Sequence, residues 1–552
     1  MTQNHDAERD RSGPRAAVAA AAPPTGPLPP PSEQVTTDRA EARVAGDVPS
    51  GARADVRERL KVNALWAVFG QGSSQILSLC IFLVLARYVS KESFGLVAVS
   101  LATVELVRRL FLDSVATAVL AQGSRDPEER DAICLAITSA TGLVAAVAVF
   151  AGADLLAALL DTPGLAGVLR VFSVILLLMG LTATPGMRLA RSIHFRSLAL
   201  RALLSVCAGG AVGLTLALAG YGLASLIAQQ LAINLVNCAT LWLASGFRPR
   251  GRLRWATARH MLERARHLSI SAAWNFLAAD VDLFLATAFF GPAGAGLYNA
   301  AKRILLAANM MLVDVISNLS IAAFANISEE DQRRAGFLGA LRWALLVTAP
   351  AFAGLAVVAH PVIRLLMGET WEASAAVLSA LAVSGIALAL SQVAGATMIA
   401  ADRPDSEARI AMFSAFFVSA ALLLFGRASL EALALTFSLA TAVVLPARLY
   451  RASSIAGARL PEVLALWPPL AAAGLMAGAV WIVQLQIPAS AGPLATLIVG
   501  VLTGIVTYAA CLRLLLPRDD RALLRAMVRT GRKRGPAASV PTGTAPLTSA
   551  EA

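Results

Sequence analysis

Apolar stretches of about 18 to 25 residues, each long enough for a helix to cross ~30 Å of hydrocarbon, recur along this chain. They run from residue 62 to residue 516 of the 552. A soluble domain has no use for so many of them, and 57% of the residues are hydrophobic while only 15% are charged. The pattern therefore predicts an all-α polytopic membrane protein.

Hydropathy windows of membrane length predict about 14 transmembrane helices. Their centres fall near residues 74, 107, 141, 174, 208, 233, 279, 310, 346, 386, 415, 440, 473 and 504. The helices before and after the long basic connection at 246–267 are expected to form two pseudo-symmetric six-helix bundles, followed by two C-terminal helices.

The distribution of basic residues predicts the orientation in the membrane. Alternate connections hold 32 Arg and Lys residues, and the remaining connections hold five. Because Arg and Lys collect on the cytoplasmic side, both termini are expected to be cytoplasmic in a multi-pass protein of the bacterial inner membrane. The net charge of +12 belongs to this bias, so no nucleic-acid partner is predicted.

Six segments follow from these patterns. The two ends are rich in Pro, Ala, Ser and Thr and are predicted to be disordered, the first of them cytoplasmic. The basic linker is expected either to lie on anionic lipid headgroups or to form a solvated loop, and the two readings are equally good. The boundaries are 1–56 (tail), 57–245 (first bundle, helices 1–6), 246–267 (linker), 268–452 (second bundle, helices 7–12), 453–530 (helices 13–14 and a juxtamembrane segment) and 531–552 (tail).

An internal repeat relates the two predicted bundles. Shifting the chain by 201 residues places Gly95 on Gly296 and Asp113 on Asp314, with hydropathy and the outward turn in register. Six helices separate the copies, so both have the same orientation in the membrane. An axis along the membrane normal relates such copies.

The sequence offers little support for an enzyme. Asp280 and Asp282 spell a D-x-D pattern, but residues two apart on a helix point about 200° apart and are not expected to share one ion. A phosphate-binding G-x-x-x-x-G-K-[ST] loop is absent from the sequence, and the five cysteines lie singly in apolar segments. Neither a catalytic residue, nor a metal, nor a cofactor is therefore predicted.

Charged residues inside the predicted spans are the strongest functional signal. Each costs about 2.5 to 3.5 kcal/mol on insertion scales, so such residues usually face a bundle interior or a wet cavity. One helix carries Glu105, Arg108, Arg109 and Asp113, and the seventh and eighth carry Asp280, Asp282, Lys302, Arg303 and Asp314.

Spacing predicts how these charges pair. Glu105 lies three and four residues before Arg108 and Arg109, and Asp113 lies four after Arg109, so this helix can neutralise itself along one face. Asp282 stands nine residues before the outward turn around Gly291 to Gly294, and Arg303 nine residues after it, which allows an ion pair between adjacent helices. Pairs that only fix helix packing and a basic cavity that accepts an anionic head group are equally good readings.

The stretch from Asp282 to Arg303 resembles the D-x-x-x-(apolar)-G-x-x-x-x-G-x-Y-x-x-A-x-R segment of the Wzx-like oligosaccharide flippases. This branch belongs to the multidrug/oligosaccharidyl-lipid/polysaccharide exporter superfamily. Asp282, Gly291, Gly296, Tyr298 and Arg303 match that pattern. The phrase at 85–95 is similar to the family's first-repeat turn, and the helix layout extends the resemblance over about 57–516.

The resemblance implies that the chain flips an undecaprenyl-pyrophosphate-linked oligosaccharide by alternating access during lipopolysaccharide or exopolysaccharide biosynthesis. Its expected partners are that glycan, membrane lipids, and the glycosyltransferases and polymerase of the pathway. A multidrug/cation antiporter or a lipid II flippase of the same superfamily stays open, as does a membrane polymerase or glycosyltransferase. The residues expected to contact substrate are Arg108, Arg109, Lys302, Arg303, Asp282 and Tyr298, with Glu105, Asp113, Asp280 and Asp314 as charge partners.

Overall fold

A computed structural model describes residues 72–115, 127–191, 195–248, 255–314, 330–401, 403–488 and 492–515. Within these ranges the secondary structure is helical throughout, as the composition predicts. The predicted tails at 1–56 and 531–552 lie outside the described residues, as do the side chains of the predicted linker after residue 248.

In the first half of the fold, the described ranges contain six helices. They are α1 (Gly72–Leu85), α2 (Lys91–Val107), α3 (Pro127–Leu159), α4 (Leu165–Arg191), α5 (Phe195–Leu218) and α6 (Leu223–Ser245). Helix α2 begins where the Ser90 hydroxyl accepts a hydrogen bond from the Ser93 N–H at 3.3 Å. This N-cap satisfies one of the donors that the first helical turn leaves free.

The second half begins with two helices that meet at Gly291, where the backbone is not helical, and that share one label here. Its helices are α7 (Trp255–Asn309), α8 (Glu330–Val357), α9 (Ala359–Met367), α10 (Ala373–Ala400), α11 (Pro404–Phe425) and α12 (Leu430–Ala456). Helix α7 bends at Gly291, where φ is 68° and ψ is −174°. Glycine adopts this backbone region without steric cost, and Pro292 follows it, so the sequence itself sets the bend.

Three further helices complete the described part of the chain: α13 (Leu460–Leu464), α14 (Pro468–Gln486) and α15 (Gly492–Leu515). Helices α14 and α15 pack against each other, and α14 also packs on α8. The pair is therefore attached to the outside of the second half.

Eleven of the described helices are long and apolar enough to span a membrane. The difference from the predicted fourteen has three sources. Residue 74 lies in the shorter α1 and residue 107 at the end of the 17-residue α2, while residues 279 and 310 lie on opposite sides of the break at Gly291 in a stretch that is counted as one span. The polytopic all-α class is confirmed, whereas the count of fourteen stays a prediction.

Two π-helical segments continue α2 and α7. The first, Arg108–Asp113, is called π1 here, and the second, Met310–Asp314, is called π2. A shift of 201 residues places π1 on 309–314, so both copies of the predicted repeat change helix type at the same place. Single π turns inside α-helices recur at functional sites.

The two halves meet where α2 packs on α7. A Cβ added to Gly95 would lie 1.8 Å from the Pro292 carbonyl oxygen, and one added to Gly296 would lie 2.0 Å from the Lys91 carbonyl oxygen. Both partners differ by 201 residues, so the contact is reciprocal. Only glycine allows backbones to approach this closely. We call this contact the glycine seam.

Further contacts join the halves beside the glycine seam. The Trp371 indole N–H donates to the Ala86 carbonyl at 2.7 Å, and the Trp371 ring meets Phe94 edge-to-face with centroids 5.4 Å apart. The Arg87 guanidinium donates to the Leu365 carbonyl at 3.0 Å. These residues belong to the turns that the charge bias predicts to face outward, so the halves are held together at that end.

Candidate functional site

The predicted charge cluster of α2 and π1 forms and neutralises itself. Arg108 donates from Nε to Glu105 at 2.8 Å and from a terminal nitrogen to Asp113 at 2.6 Å. Arg109 donates from Nε to the same Glu105 at 2.7 Å. Two carboxylates thus balance two guanidinium groups.

The partner predicted for Asp113 was wrong. Four-residue spacing indicated Arg109, but Asp113 binds Arg108, five residues earlier. The reason is the π1 segment, because a π-helix brings residues five apart into line where an α-helix brings together residues three and four apart. The equivalent Asp314 ends π2, and its side chain lies outside the described part of the structure.

Arg108 and Arg109 differ in what they can still bind. All three guanidinium nitrogens of Arg108 donate to Glu105 or Asp113. Arg109 donates through Nε, and its terminal nitrogens meet no carboxylate within the described ranges. The guanidinium of Arg109 lies 5.9 Å from the centroid of the Phe276 ring on α7. Arg108 therefore fixes the cluster, and Arg109 is the cation that it presents.

A second cluster lies inside the second half, around the buried Asp282. This carboxylate accepts from the Tyr298 hydroxyl at 2.7 Å, from Lys302 Nζ at 2.8 Å and from the Leu283 N–H at 2.9 Å. Lys302 also donates to Asp280 at 3.3 Å and to the Ala279 carbonyl at 2.6 Å. Since Asp282 and Tyr298 are 0% exposed, the three bonds to Asp282 are made away from solvent, whereas the Asp280 side chain is 26% exposed.

One prediction about this cluster was wrong. Asp282 pairs with Lys302 and not with Arg303, because equal depth does not fix the rotation of a side chain about its helix. Asp280 also contacts Lys302, since the long Lys302 stem reaches both carboxylates from the facing part of α7. The two aspartates thus share an ammonium group, and the expectation that they hold no metal ion stays a prediction.

Arg303 stands apart from both clusters. It donates to the Ser78 hydroxyl on α1 at 2.8 Å, and its guanidinium lies 4.5 Å from the centroid of the Phe82 ring. It lines a small cavity of about 40 Å³ between the halves, together with Gln229, Gln230 and Asn299. Within the described ranges it meets no carboxylate.

A polar pair that the sequence did not predict lies in the second half. Glu407 on α11 and Arg448 on α12 form a hydrogen-bonded ion pair, and with Lys302 they line a cavity of about 260 Å³ in the second half. Glu407 Oε2 and Arg448 Nε are buried with no partner inside the described ranges. Both residues fall in predicted connections, and 41 residues separate them, so the sequence carries no signal for the pair.

Comparison with known proteins agrees with this architecture. The polysaccharide biosynthesis protein family matches residues 84–376, which is more than half of the chain. The succinoglycan biosynthesis transport protein ExoT of Rhizobium meliloti is 26% identical over 58% of this chain and 65% of its own length, just under two thirds. The lipopolysaccharide biosynthesis protein WzxC of Escherichia coli is 23% identical over 67% and 76%.

Solved structures share the fold at low sequence identity. The lipid II flippase MurJ in an inward closed conformation has a TM-score of 0.69 at 14% identity, and the match covers 84% of this chain and all of MurJ. An inward-facing multidrug resistance MATE transporter of the MOP superfamily has a TM-score of 0.54 at 14% identity, covering 70% of this chain and 95% of the transporter. The chain therefore belongs to the polysaccharide biosynthesis protein family, with the fold of a multi-pass MOP superfamily transporter.

Proposed function

We propose that this protein flips an undecaprenyl-pyrophosphate-linked oligosaccharide across the bacterial inner membrane by alternating access. The protein forms or breaks no covalent bond in this proposal. The names of ExoT and WzxC, which refer to succinoglycan transport and lipopolysaccharide biosynthesis, support the substrate class. Both termini lie in the cytoplasm, in line with the bias of Arg and Lys.

The observation that carries the proposal is the environment of Arg303. Lys302 and Arg108 are neutralised by carboxylates, whereas Arg303 is held by a serine hydroxyl and an aromatic ring. A cation in a membrane protein that lacks a carboxylate partner is costly, and a bound anion removes that cost. The planar guanidinium binds two phosphate oxygens at once, which suits a pyrophosphate.

The surroundings of Arg303 suit a sugar-bearing anion. The side chains of Ser78, Gln229, Gln230 and Asn299 supply hydroxyl and amide groups at the same cavity. Such groups donate to and accept from sugar hydroxyls. The halves are joined beside this cavity at the end that is predicted to face outward, so release of the substrate to the outside requires the halves to separate there.

The proposal is tested in a strain that lacks the gene. Lipids extracted from this strain should contain undecaprenyl-linked glycan trapped on the cytoplasmic leaflet, and the wild-type gene should clear it. Arg303→Ala should fail to clear it, and Arg303→Lys should clear part of it because the charge stays and the fork is lost. Arg170→Ala is the control, because Arg170 forms an exposed ion pair with Asp154.

The other outcomes would contradict the role of Arg303 or indicate a different kind of membrane protein. Full clearance by Arg303→Ala at normal protein levels would overturn the role of Arg303. Accumulation of the peptidoglycan precursor would identify a lipid II flippase. Sensitivity to cationic compounds without a trapped lipid would identify an antiporter, and glycan units left unassembled outside would identify a polymerase.

A further inference from the structure

An apolar groove lies on the contact between the two halves. Its cavity measures about 510 Å³, within the range of about 300–1,000 Å³ that small-molecule sites occupy. One wall is Leu106 of α2, and the other is the first part of α7. The large side chains of the α7 wall are Trp274, Phe276, Leu277, Val281 and Phe284.

The groove alone does not select a ligand. Lipid tails are as apolar as its walls, so the hydrophobic effect gives little preference for one hydrocarbon chain over another inside a bilayer. A specific occupant needs a second determinant. A charged group at one end of the groove would provide it, because it would favour a lipid whose head carries the opposite charge.

Arg109 is that charged group. It stands three residues after Leu106, and its guanidinium lies over the ring of Phe276, which lines the groove. The side chain of Arg109 is 37% exposed, and its terminal nitrogens meet no carboxylate in the part of the chain that the structure describes. A cation at the rim of an apolar groove matches an anionic head group that continues into a long hydrocarbon chain.

The direction of the groove matches a lipid of the cytoplasmic leaflet. From Ala273 to Phe284 the wall rises over ~17 Å of helix, about half of the ~30 Å hydrocarbon thickness. Arg109 contacts Phe276 near the start of this wall, and α7 then runs on to the turn at Gly291, which is predicted to face outward. The charged end thus lies toward the cytoplasm and the groove runs toward the bilayer centre.

We infer that this groove, lined by Leu106, Trp274, Phe276, Leu277, Val281 and Phe284, binds the first part of the polyisoprenyl chain of the substrate while Arg109 holds its phosphate. The inference rests on the proposed function and adds a site for the lipid tail. Arg109 lies fourteen residues after Gly95 and Arg303 lies seven after Gly296, so ~10 Å of depth separates them. Arg109 receives the phosphate first, and Arg303 is the next cation on the way out.

The test uses binding and does not depend on transport. A photo-crosslinking amino acid replaces Leu277 in the full-length protein, which is purified and reconstituted in phosphatidylglycerol vesicles. The probe is radiolabelled undecaprenyl phosphate, which carries no sugar. We expect a crosslink that excess unlabelled undecaprenyl phosphate abolishes and that falls at least fivefold with Arg109→Ala. The same amino acid at Leu485, an exposed position of α14, should give at most a tenth of that yield.

Filling the groove gives a second, independent variant. Leu106→Trp should reduce the crosslink at Leu277 at least fivefold, and Leu475→Trp on an exposed face of α14 should leave it unchanged. The melting temperature of each variant in detergent identifies misfolding. If Leu106→Trp does not fold, the inference is tested by the crosslinking yield at Leu277 with and without Arg109→Ala.

Three results would overturn the inference. The first is equal crosslinking at Leu277 and Leu485. The second is crosslinking of labelled phosphatidylglycerol at Leu277 that equals the crosslinking of labelled undecaprenyl phosphate. The third is a crosslinking yield that neither Arg109→Ala nor Leu106→Trp changes. Each would mean that bulk membrane lipid alone fills the groove. The two proposals can also fail separately. If the crosslink in vesicles meets the expectation but the strain that lacks the gene traps no glycan, the lipid site in the groove stands and the proposed function is overturned.

Discussion

At the scale of single residues, neighbouring cations in this protein have different roles because their partners differ. Lys302 and Arg303 are adjacent in sequence, yet Lys302 lies between two aspartates and Arg303 contacts a serine and a phenylalanine. One residue along a helix turns the side chain by about 100°. Lys302 therefore belongs to the packing of the second half, and Arg303 faces the first half.

We expect Lys302→Met to destabilise the protein strongly. The variant leaves the fully buried Asp282 without its cation, and breaking a buried pair in this way costs about 3–5 kcal/mol. A clear fall in the melting temperature in detergent would be the readout. Lys91→Met, at a partly exposed position, should change stability by less than about 0.5 kcal/mol.

A double variant separates lost charge from lost packing. Asp282→Asn with Lys302→Met removes both members of the pair, so it should recover part of the stability that Lys302→Met loses. If the double variant is as unstable as the sum of the two single variants, the ion pair does not explain the effect.

We expect Tyr298→Phe to cost less than Lys302→Met. The change removes one of three donors to Asp282 and leaves the ring packed, so the free energy of unfolding should fall by about 1–3 kcal/mol. The melting temperature of the purified variant checks this. A loss as large as that of Lys302→Met would mean that the hydroxyl does more than donate to Asp282.

At the scale of the elements, the glycine seam sets how closely α2 and α7 approach. We expect Gly95→Ala to destabilise the protein by about 1–3 kcal/mol, since the new Cβ would lie 1.8 Å from a backbone oxygen that cannot move alone. Gly296→Ala should behave alike, and the double variant should cost less than the sum, because one displacement relieves both clashes. Melting temperatures of the three variants give the comparison.

Gly167→Ala is the matched control for the seam. It lies within α4, and a Cβ there would have no atom within 4 Å. Alanine favours a helix over glycine by about 1 kcal/mol, so this variant should be as stable as wild type or more so. Equal losses at Gly95 and Gly167 would contradict the account of the seam.

The elements also show which features the sequence can predict. Hydropathy indicates the apolar helices because their length is set by the bilayer, and the charges near 105–113 and 280–303 stand out against it. Hydropathy does not indicate π1. Whether a backbone N–H bonds to the carbonyl four or five residues earlier depends on tertiary packing. The partner of Asp282 escaped for a related reason, since spacing from the Gly291 bend gives depth along a helix but not rotation about it.

At the scale of the whole molecule, the halves are joined at one end by a small set of contacts. Arg87 on the turn after α1 bonds to Leu365 on α9, and Trp371 bonds to Ala86. The proposed alternating access requires these contacts to break in each cycle. A covalent link between the two halves, placed at these contacts, should therefore stop transport.

We expect a reversible thiol cross-linker between cysteines at Arg87 and Leu365 to stop glycan flipping, and a reducing agent to restore it. The background protein has its five native cysteines replaced by alanine. Lipid-linked glycan on the cytoplasmic leaflet is the readout. Cysteines at Arg364 and Glu372, which form an ion pair within the second half, provide the control and should leave flipping intact when linked.

The reciprocal contact of Gly95 with Pro292 and of Gly296 with Lys91 has the form of a symmetric interface. In a homodimer with twofold symmetry, residue i of one subunit meets residue j of the other, and j meets i in return. The glycine seam has this form within a single chain, so the two halves face each other as two subunits would. One gene encodes both sides of the contact, so a substitution at one glycine changes only one side and breaks the symmetry that a homodimer would keep.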